Sequence, residues 1–189
     1  MPNNPSPESL IPQRVHEERI ARGLTLDQLA AQANVSRAMI SKIERGESSP
    51  TASLLSRIAD ALSLSMSALM REPQPASTSI QRLQDQQQWI DPETGYIRRL
   101  VSPSAAGADV EIVAVELPPG QTVIFAASEI LHSDDQILLL EGQLLLRSGT
   151  TVYEVQPGDC ARVSTLEEQS FSNSGHAMAR YLVIKRHFR

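Results

Sequence analysis

Arg37, Ala38, Ser41 and Lys42 fall on one side of a short helical stretch, RAMISKIER, whose other side carries Ile40 and Ile43. Two long cationic donors flanking small residues suit the reading of DNA base edges. The donors reach acceptors in the major groove, and Ala38 lets the helix lie close to the groove floor. Two isolated charges more often only solvate a helix face; here the spacing of the neighbouring residues favours the reading role. Other chemically able residues point to less. His16, His132, His176 and His187 share no ligand spacing and are expected on solvated faces or rims. Asp134 and Asp135 could divide acid and base work, but adjacent aspartates usually mark a solvated turn. The single cysteine, Cys160, stands in an apolar, strand-like run and is expected to be a buried small hydrophobe.

Two helices and a tight turn must position that face. Thr25 followed by Gln28 predicts a capping box that opens a helix at Leu26, with Leu29, Ala30 and Ala33 on its apolar side. Asn34 tolerates the left-handed conformation that ends it, Val35 plugs the turn, and Ser36 caps the reading helix, which runs to about Arg45 and stops at Gly46. A preceding helix is expected from near Ile11, with Pro12 in its first turn, Ile11, Val15 and Arg19 on one face, and Gly23 as terminator. Thr51 caps a fourth helix containing Leu54, Leu55, Ile58, Ala59 and Leu62, and Met66 to Met70 forms a fifth. The free amides of the fourth helix, with Ser48, Ser49 and Thr51, are expected phosphate ligands, since a helix N-terminus attracts anions. The candidate DNA contacts are Gln28, Ser36, Arg37, Ala38, Ser41, Lys42, Ser49 and Thr51.

The chain has 189 residues, 41% hydrophobic and 4% aromatic, with a formal net charge of −5. Up to Glu72 basic and acidic side chains balance at eight each, leaving nine against fourteen beyond. A neutral head with one basic helix face binds DNA with a modest, salt-sensitive grip. MPNNPSPES lacks the basic head and apolar run of a targeting segment, and no window approaches a membrane span, so a cytoplasmic protein without membrane partners is expected. One cysteine allows no internal disulfide and fits a reducing compartment.

REPQPASTS reads as a linker, which divides the chain into a head at 8–71, a linker at 72–79 and a second domain at 80–189. Ile80 to Trp89 suits either a short helix or a lead-in strand. Beyond Asp91 the period becomes strand-like. Candidate strands are Val110–Leu117, Thr122–Phe125, Ile137–Leu140, Leu144–Arg147, Thr151–Val155, Cys160–Ser164, Ser170–Ser172 and Arg180–Lys185. Gly-containing turns separate them, as in a sandwich or barrel.

The run LTLDQLAAQANVSRAMISKIERGESSPT resembles the helix-turn-helix of phage-repressor-like regulators, the family named after the xenobiotic response element. The resemblance covers about Ile11 to Met70. It implies an ion pair between Arg19 and Glu44, and it makes Glu18, where that family carries an apolar residue, a site of looser packing. Pro119-Gly120, Leu140-Glu141-Gly142-Gln143-Leu144, Pro157-Gly158-Asp159 and Asn173-Ser174-Gly175 resemble a cupin, a small barrel of the double-stranded β-helix type. In metal-bearing cupins an acid and three histidines bind the ion. Here the acid position falls on Asp135, the late histidine position on Gln169 and the early pair near Glu129 and Leu131, with His132 beside them. One displaced histidine and a short carboxylate make a poor site, so neither a metal nor another cofactor is expected.

The fold expected is thus α + β in two domains, a five-helix bundle followed by an all-β cupin barrel. The resemblance implies a cytoplasmic, homodimeric transcriptional regulator, expected to be a repressor of an inverted-repeat operator and no enzyme. A metal-free pocket of Asp135, Ile137, Leu139, Arg162, Gln169 and Phe171 is expected to hold a small effector. Asp135 favours an amine, Arg162 a carboxylate, and both together an amino acid. Two alternatives stand beside this reading. One is a cupin enzyme with an autoregulatory DNA-binding domain, against which the missing ligands count; the other is an interaction module with a filled barrel.

Overall fold

The structure is a computed structural model that describes residues 7–71, 79–103, 110–128 and 133–187. Glu129, Leu131, His132 and most of the expected linker lie outside the described residues, as does the side chain of His187.

Five helices form the head: α1 (Pro7–Ala21), α2 (Leu26–Ala33), α3 (Arg37–Glu44), α4 (Ala52–Ala61) and α5 (Met66–Met70). Both halves of the Thr25–Gln28 capping box are present, Asn34 is left-handed at φ 52° and ψ 51°, and the Ser36 hydroxyl accepts from the Met39 amide. α1 begins at Pro7 rather than near Ile11. Pro7 takes the first helical position, where no amide partner is needed, and burial of Leu10 ties the extra turn to the core. Pro12 therefore lies inside the helix and forgoes one intrahelical bond. Ile11, Val15, Leu29, Ile40, Ile43, Leu55, Ile58 and Leu69 build one apolar core. Arg19 donates to both oxygens of Glu44 at 2.6 and 2.8 Å and to the Leu24 carbonyl at 2.9 Å, tying α1 to the end of α3. Glu18 does not loosen α1: its carboxylate receives Arg14 at 2.5 Å and also Arg22, so the acidic side chain is satisfied along the helix.

Among the described residues a 3-10 turn at Leu83–Asp85 precedes ten strands, so the Gln-rich stretch supplies both a helical turn and a lead-in strand. They are β1 (Gln88–Ile90), β2 (Ile97–Leu100), β3 (Val110–Leu117), β4 (Thr122–Phe125), β5 (Ser133–Glu141), β6 (Leu144–Ser148), β7 (Thr151–Val155), β8 (Cys160–Ser164), β9 (Gln169–Ser172) and β10 (Ala179–His187). Two antiparallel sheets result, ordered β1-β2-β3-β10-β5-β8 and β4-β9-β6-β7. Their inner faces supply Val113, Val115, Ile137, Leu139, Tyr181 and Val183 from the first, and Val123, Leu144, Leu146 and Phe171 from the second. This is the double-sheet cupin architecture. Gly142 allows the turn from β5 to β6 at φ +84°, where a Cβ would come within 2.6 Å of the Met178 carbonyl.

Period-2 alternation decides which strand residues meet the interior, and it corrects two expectations. Arg162 pairs across from Gln136 on the outward face of β8; its side chain is 75% exposed and donates to Asp134 at 2.6 Å. Cys160 is likewise exposed, near the Gln136 amide. Asp134 and Asp135, as neighbours on a strand, point to opposite faces, so they are neither a turn nor a carboxylate pair.

The halves are latched together. Asp91, which follows β1 and is 2% exposed, receives the Ala52 amide of α4 at 2.5 Å on one oxygen and the Glu93 and Thr94 amides on the other. Ser67 of α5 donates to Glu111 of β3 at 2.6 Å, and Arg98 of β2 donates to both. The charges of this buried trio are thereby compensated, which burial requires.

Candidate functional site

Two regions concentrate the chemistry. The first is the outer side of α2 and α3. Gln28, Ser36, Arg37, Ala38 and Lys42 are exposed, and Ser41 is half-buried. Arg37 Nε lies 3.3 Å from Asp27 Oδ1, which draws the starts of α2 and α3 onto one face. Several polar groups of the set also serve the fold. Gln28 Oε1 receives the Thr25 amide at 2.8 Å, Ser36 caps α3, and the Ser41 hydroxyl receives Arg45. Ser49 is exposed, but α4 is less open to phosphate than its sequence suggests. Thr51 Oγ1 receives the Leu54 amide at 3.3 Å and Asp91 takes the Ala52 amide, so two of the amides expected to be free are occupied.

Glu44 sets the tilt of α3 against α1. Burial alone would raise its carboxyl, and the hydrogen bonds from Arg19 and from His16, 2.9 Å away, together outweigh that and hold it below the ordinary carboxylate range. His16 keeps a half-exposed ring but bonds Glu44, so it is not merely solvated.

The second region is a cavity of about 120 Å³ walled by both sheets and by α4 with its following turn. That volume far exceeds the roughly 10–15 Å³ one water needs. Asp135, Gln169 and Phe171 line it; Ile137 and Leu139 are fully buried in the core but do not reach it, and Arg162 points away. Sequence reasoning missed most of the wall. Tyr96, Arg98, Phe125, Tyr181 and Lys185 join from the barrel, and Arg57, Asp60 and Met66 from the head. Tyr96, Phe125, Phe171 and Tyr181 form an aromatic ladder with centroid spacings of 6.4, 5.8 and 5.7 Å, the last pair stacked. Burial pushes both phenols up, Tyr181 well above its ordinary value, so they present neutral hydroxyls. Lys185 lies on a strand that the sequence shows, and it shares the parity of the buried Tyr181 and Val183, an alternation that points it inward.

The Lys185 ammonium rests on the Asp135 carboxylate, whose other oxygen receives the Ser133 hydroxyl at 2.7 Å. Gln169 donates to the Ser164 carbonyl at 2.9 Å. An ammonium on the acid and a neutral amide do not form the donor set a first-row divalent ion needs. Among the described residues no three His, Cys, Asp or Glu side chains converge.

Residues 15–69 match the helix-turn-helix family HTH_3. Over 68 of its residues the chain is 43% identical to the HTH-type transcriptional regulator SutR of Escherichia coli K12, which covers 36% of this chain and 38% of SutR. Similarity to the HTH-type transcriptional regulator PuuR of the same organism is 26% over 180 residues, 94% of this chain and 95% of PuuR. A solved HTH_3 family transcriptional regulator from Vibrio cholerae superposes with a TM-score of 0.79 at 27% identity, covering 96% of this chain and 97% of that one. Residues 15–69 of the head are thus an HTH_3 helix-turn-helix domain. Behind the head stands a two-sheet domain with the double-sheet architecture that cupins share. Enzymes also share parts of the chain. The (S)-ureidoglycine aminohydrolase of Arabidopsis thaliana is 30% identical over 93 residues, 49% of this chain but 30% of the enzyme. Iron(II) HppE aligns with a TM-score of 0.51 at 15% identity, covering 95% and 100% of the two chains, a likeness of fold alone. Among the described residues of the regulator, no helix is long and apolar enough to cross a membrane.

Proposed function

We propose that the regulator acts in the cytoplasm as a homodimeric repressor of an inverted-repeat operator, without catalysis, and that a small organic molecule in the cavity sets its operator affinity. The observation that carries this reading is the cavity wall. It is shared between α4, which packs against α2, and the inner faces of the two sheets, so a bound molecule touches both halves at once. Mostly apolar walls with a few fixed polar groups are the composition of a binding pocket. Arg37 and Lys42 serve as base readers, Ala38 and Ser41 as the close-approach surface, and Gln28, Ser36, Ser49 and the remaining α4 amides as phosphate contacts.

The effector chemistry shifts with the geometry. Lys185 already neutralises Asp135, so the carboxylate makes no demand for a ligand amine, and an amino acid fits better than a simple amine. Operators selected from random duplex DNA test the reading. Arg37→Ala is expected to cost about 1–3 kcal/mol on the selected site and to relax base choice at one position. Unchanged affinity and selectivity at physiological salt would remove Arg37 from the reading set.

A further inference from the structure

We propose, resting on the effector reading above, that the cavity's ligand is a small organic acid whose carboxylate is received by Arg57, and that this contact reports occupancy to the reading helix. The cavity's acceptors are largely committed: Asp135 holds Lys185 and Ser133, and Asp60 receives Ser128. Its donors are not. Arg57 Nε and Arg98 Nε are buried and have no hydrogen-bond partner among the described residues, and both arginines line the cavity. Arg98 is 4% exposed, with Nη2 engaged by Ser67 and Glu111 while Nε is left over. A site short of acceptors calls for a ligand that brings anionic oxygens. Phe125, Phe171, Leu64 and Met66 in the same wall call for an apolar body behind them.

Arg57 is placed to transmit the event. From α4 its Nη1 donates to the Asn34 carbonyl at 2.7 Å. Asn34 is the left-handed residue that turns the chain from α2 toward α3, two residues before Ser36, the cap of the reading helix. One guanidinium thus joins the cavity to the turn that aims α3. A carboxylate that takes the fork of Arg57 competes for, or re-aims, the bond to Asn34, and the two ends are thermodynamically linked.

The test uses the full chain with two probe sets: acetate, butyrate, succinate and glutarate, against alkyl mono- and diamines of matching length. Calorimetry gives affinity, and ¹⁵N spectra follow the Val35 and Ser36 amides. At least one carboxylate is expected to bind, to move both amides, and to lose tenfold or more in affinity in Arg57→Gln. Arg57→Lys, which keeps the charge but loses the fork, is expected to fall between, and it guards against a folding defect. Equal binding to Arg57→Gln, or binding that leaves Val35 and Ser36 unmoved, overturns the inference. Binding of amines without carboxylates overturns it too while leaving the cavity effector standing, whereas failure of both sets takes the effector reading down with it.

Discussion

Arg19 and Glu44 decide whether the head is held together. Their side chains are 9% and 7% exposed, so neither charge has much water to fall back on. Arg19→Met leaves Glu44 buried with only His16, and is expected to lower unfolding free energy by about 3 kcal/mol, read from urea denaturation of the full chain. The pH dependence follows from the sign of the shift. Glu44 titrates lower in the folded protein than in the unfolded chain. The pair's stabilisation is therefore fully present above the ordinary carboxylate pKa of about 4.3 and is lost as pH falls through the folded value. Wild type is expected to lose more stability than Arg19→Met between pH 5 and the acid limit. A pH-independent difference between the two would show that the pair is not the source.

At the scale of elements, the start of α4 is where the domains meet. Asp91 does for α4 from another domain what Thr51 does from within: each satisfies an amide that the helix leaves unpaired. The carboxylate also sits favourably at the positive end of the helix. Asp91→Ala is expected to cost about 1–2 kcal/mol, the range for loss of a helix cap, and to raise hydrogen exchange at Ala52 first, with Ala61 at the far end of the helix little changed. Uniform exchange along α4 would argue that Asp91 holds the domains together without capping. A head latched in this way differs from a head swinging on a linker. Hydrogen bonds tie α4 to the segment after β1 through Asp91 and to the turn before the reading helix through Arg57.

For the whole molecule, charge and assembly set how DNA is held. The head has no excess of basic residues up to Glu72, and the remainder of the chain is acidic, so general attraction to phosphate is weak, and the proposed pairing of two heads would strengthen the grip. Sedimentation of the 20.7 kDa chain at micromolar concentration is expected to show twice that mass. With Arg37 and Lys42 each displacing one counterion as they enter the groove, two heads release about four, and the logarithm of operator affinity is expected to fall with the logarithm of salt at a slope of about −3.6. A slope near half that value, with a monomer in sedimentation, would indicate a single head at work. Half-sites are expected about one helical turn, roughly 34 Å, apart.

The head was legible from its residues because its signals are local. Thr25 with Gln28, Asn34, Ser36 and Thr51 each act within four residues, and the 3.6 period of the apolar positions names the core without knowledge of any partner. Eight of the ten described strands were legible for a similar reason, since alternation and glycine turns are read along the chain, whereas β2 at Ile97–Leu100 was not read as a strand. The cavity was legible only at Asp135, Gln169 and Phe171, through resemblance to a barrel. What lies across from them depends on register, and a shift of one residue sends every side chain to the other face. That is why Arg162 and Cys160 point outward, why Lys185 meets Asp135 across β10 and β5, and why Asp134 and Asp135 part company. The third wall of the cavity comes from α4, and the latch from Asp91 and the trio of Ser67, Arg98 and Glu111. Contacts between residues 39 and 44 positions apart have no period to betray them; only the packing of one folded half on the other decides which donors meet which acceptors.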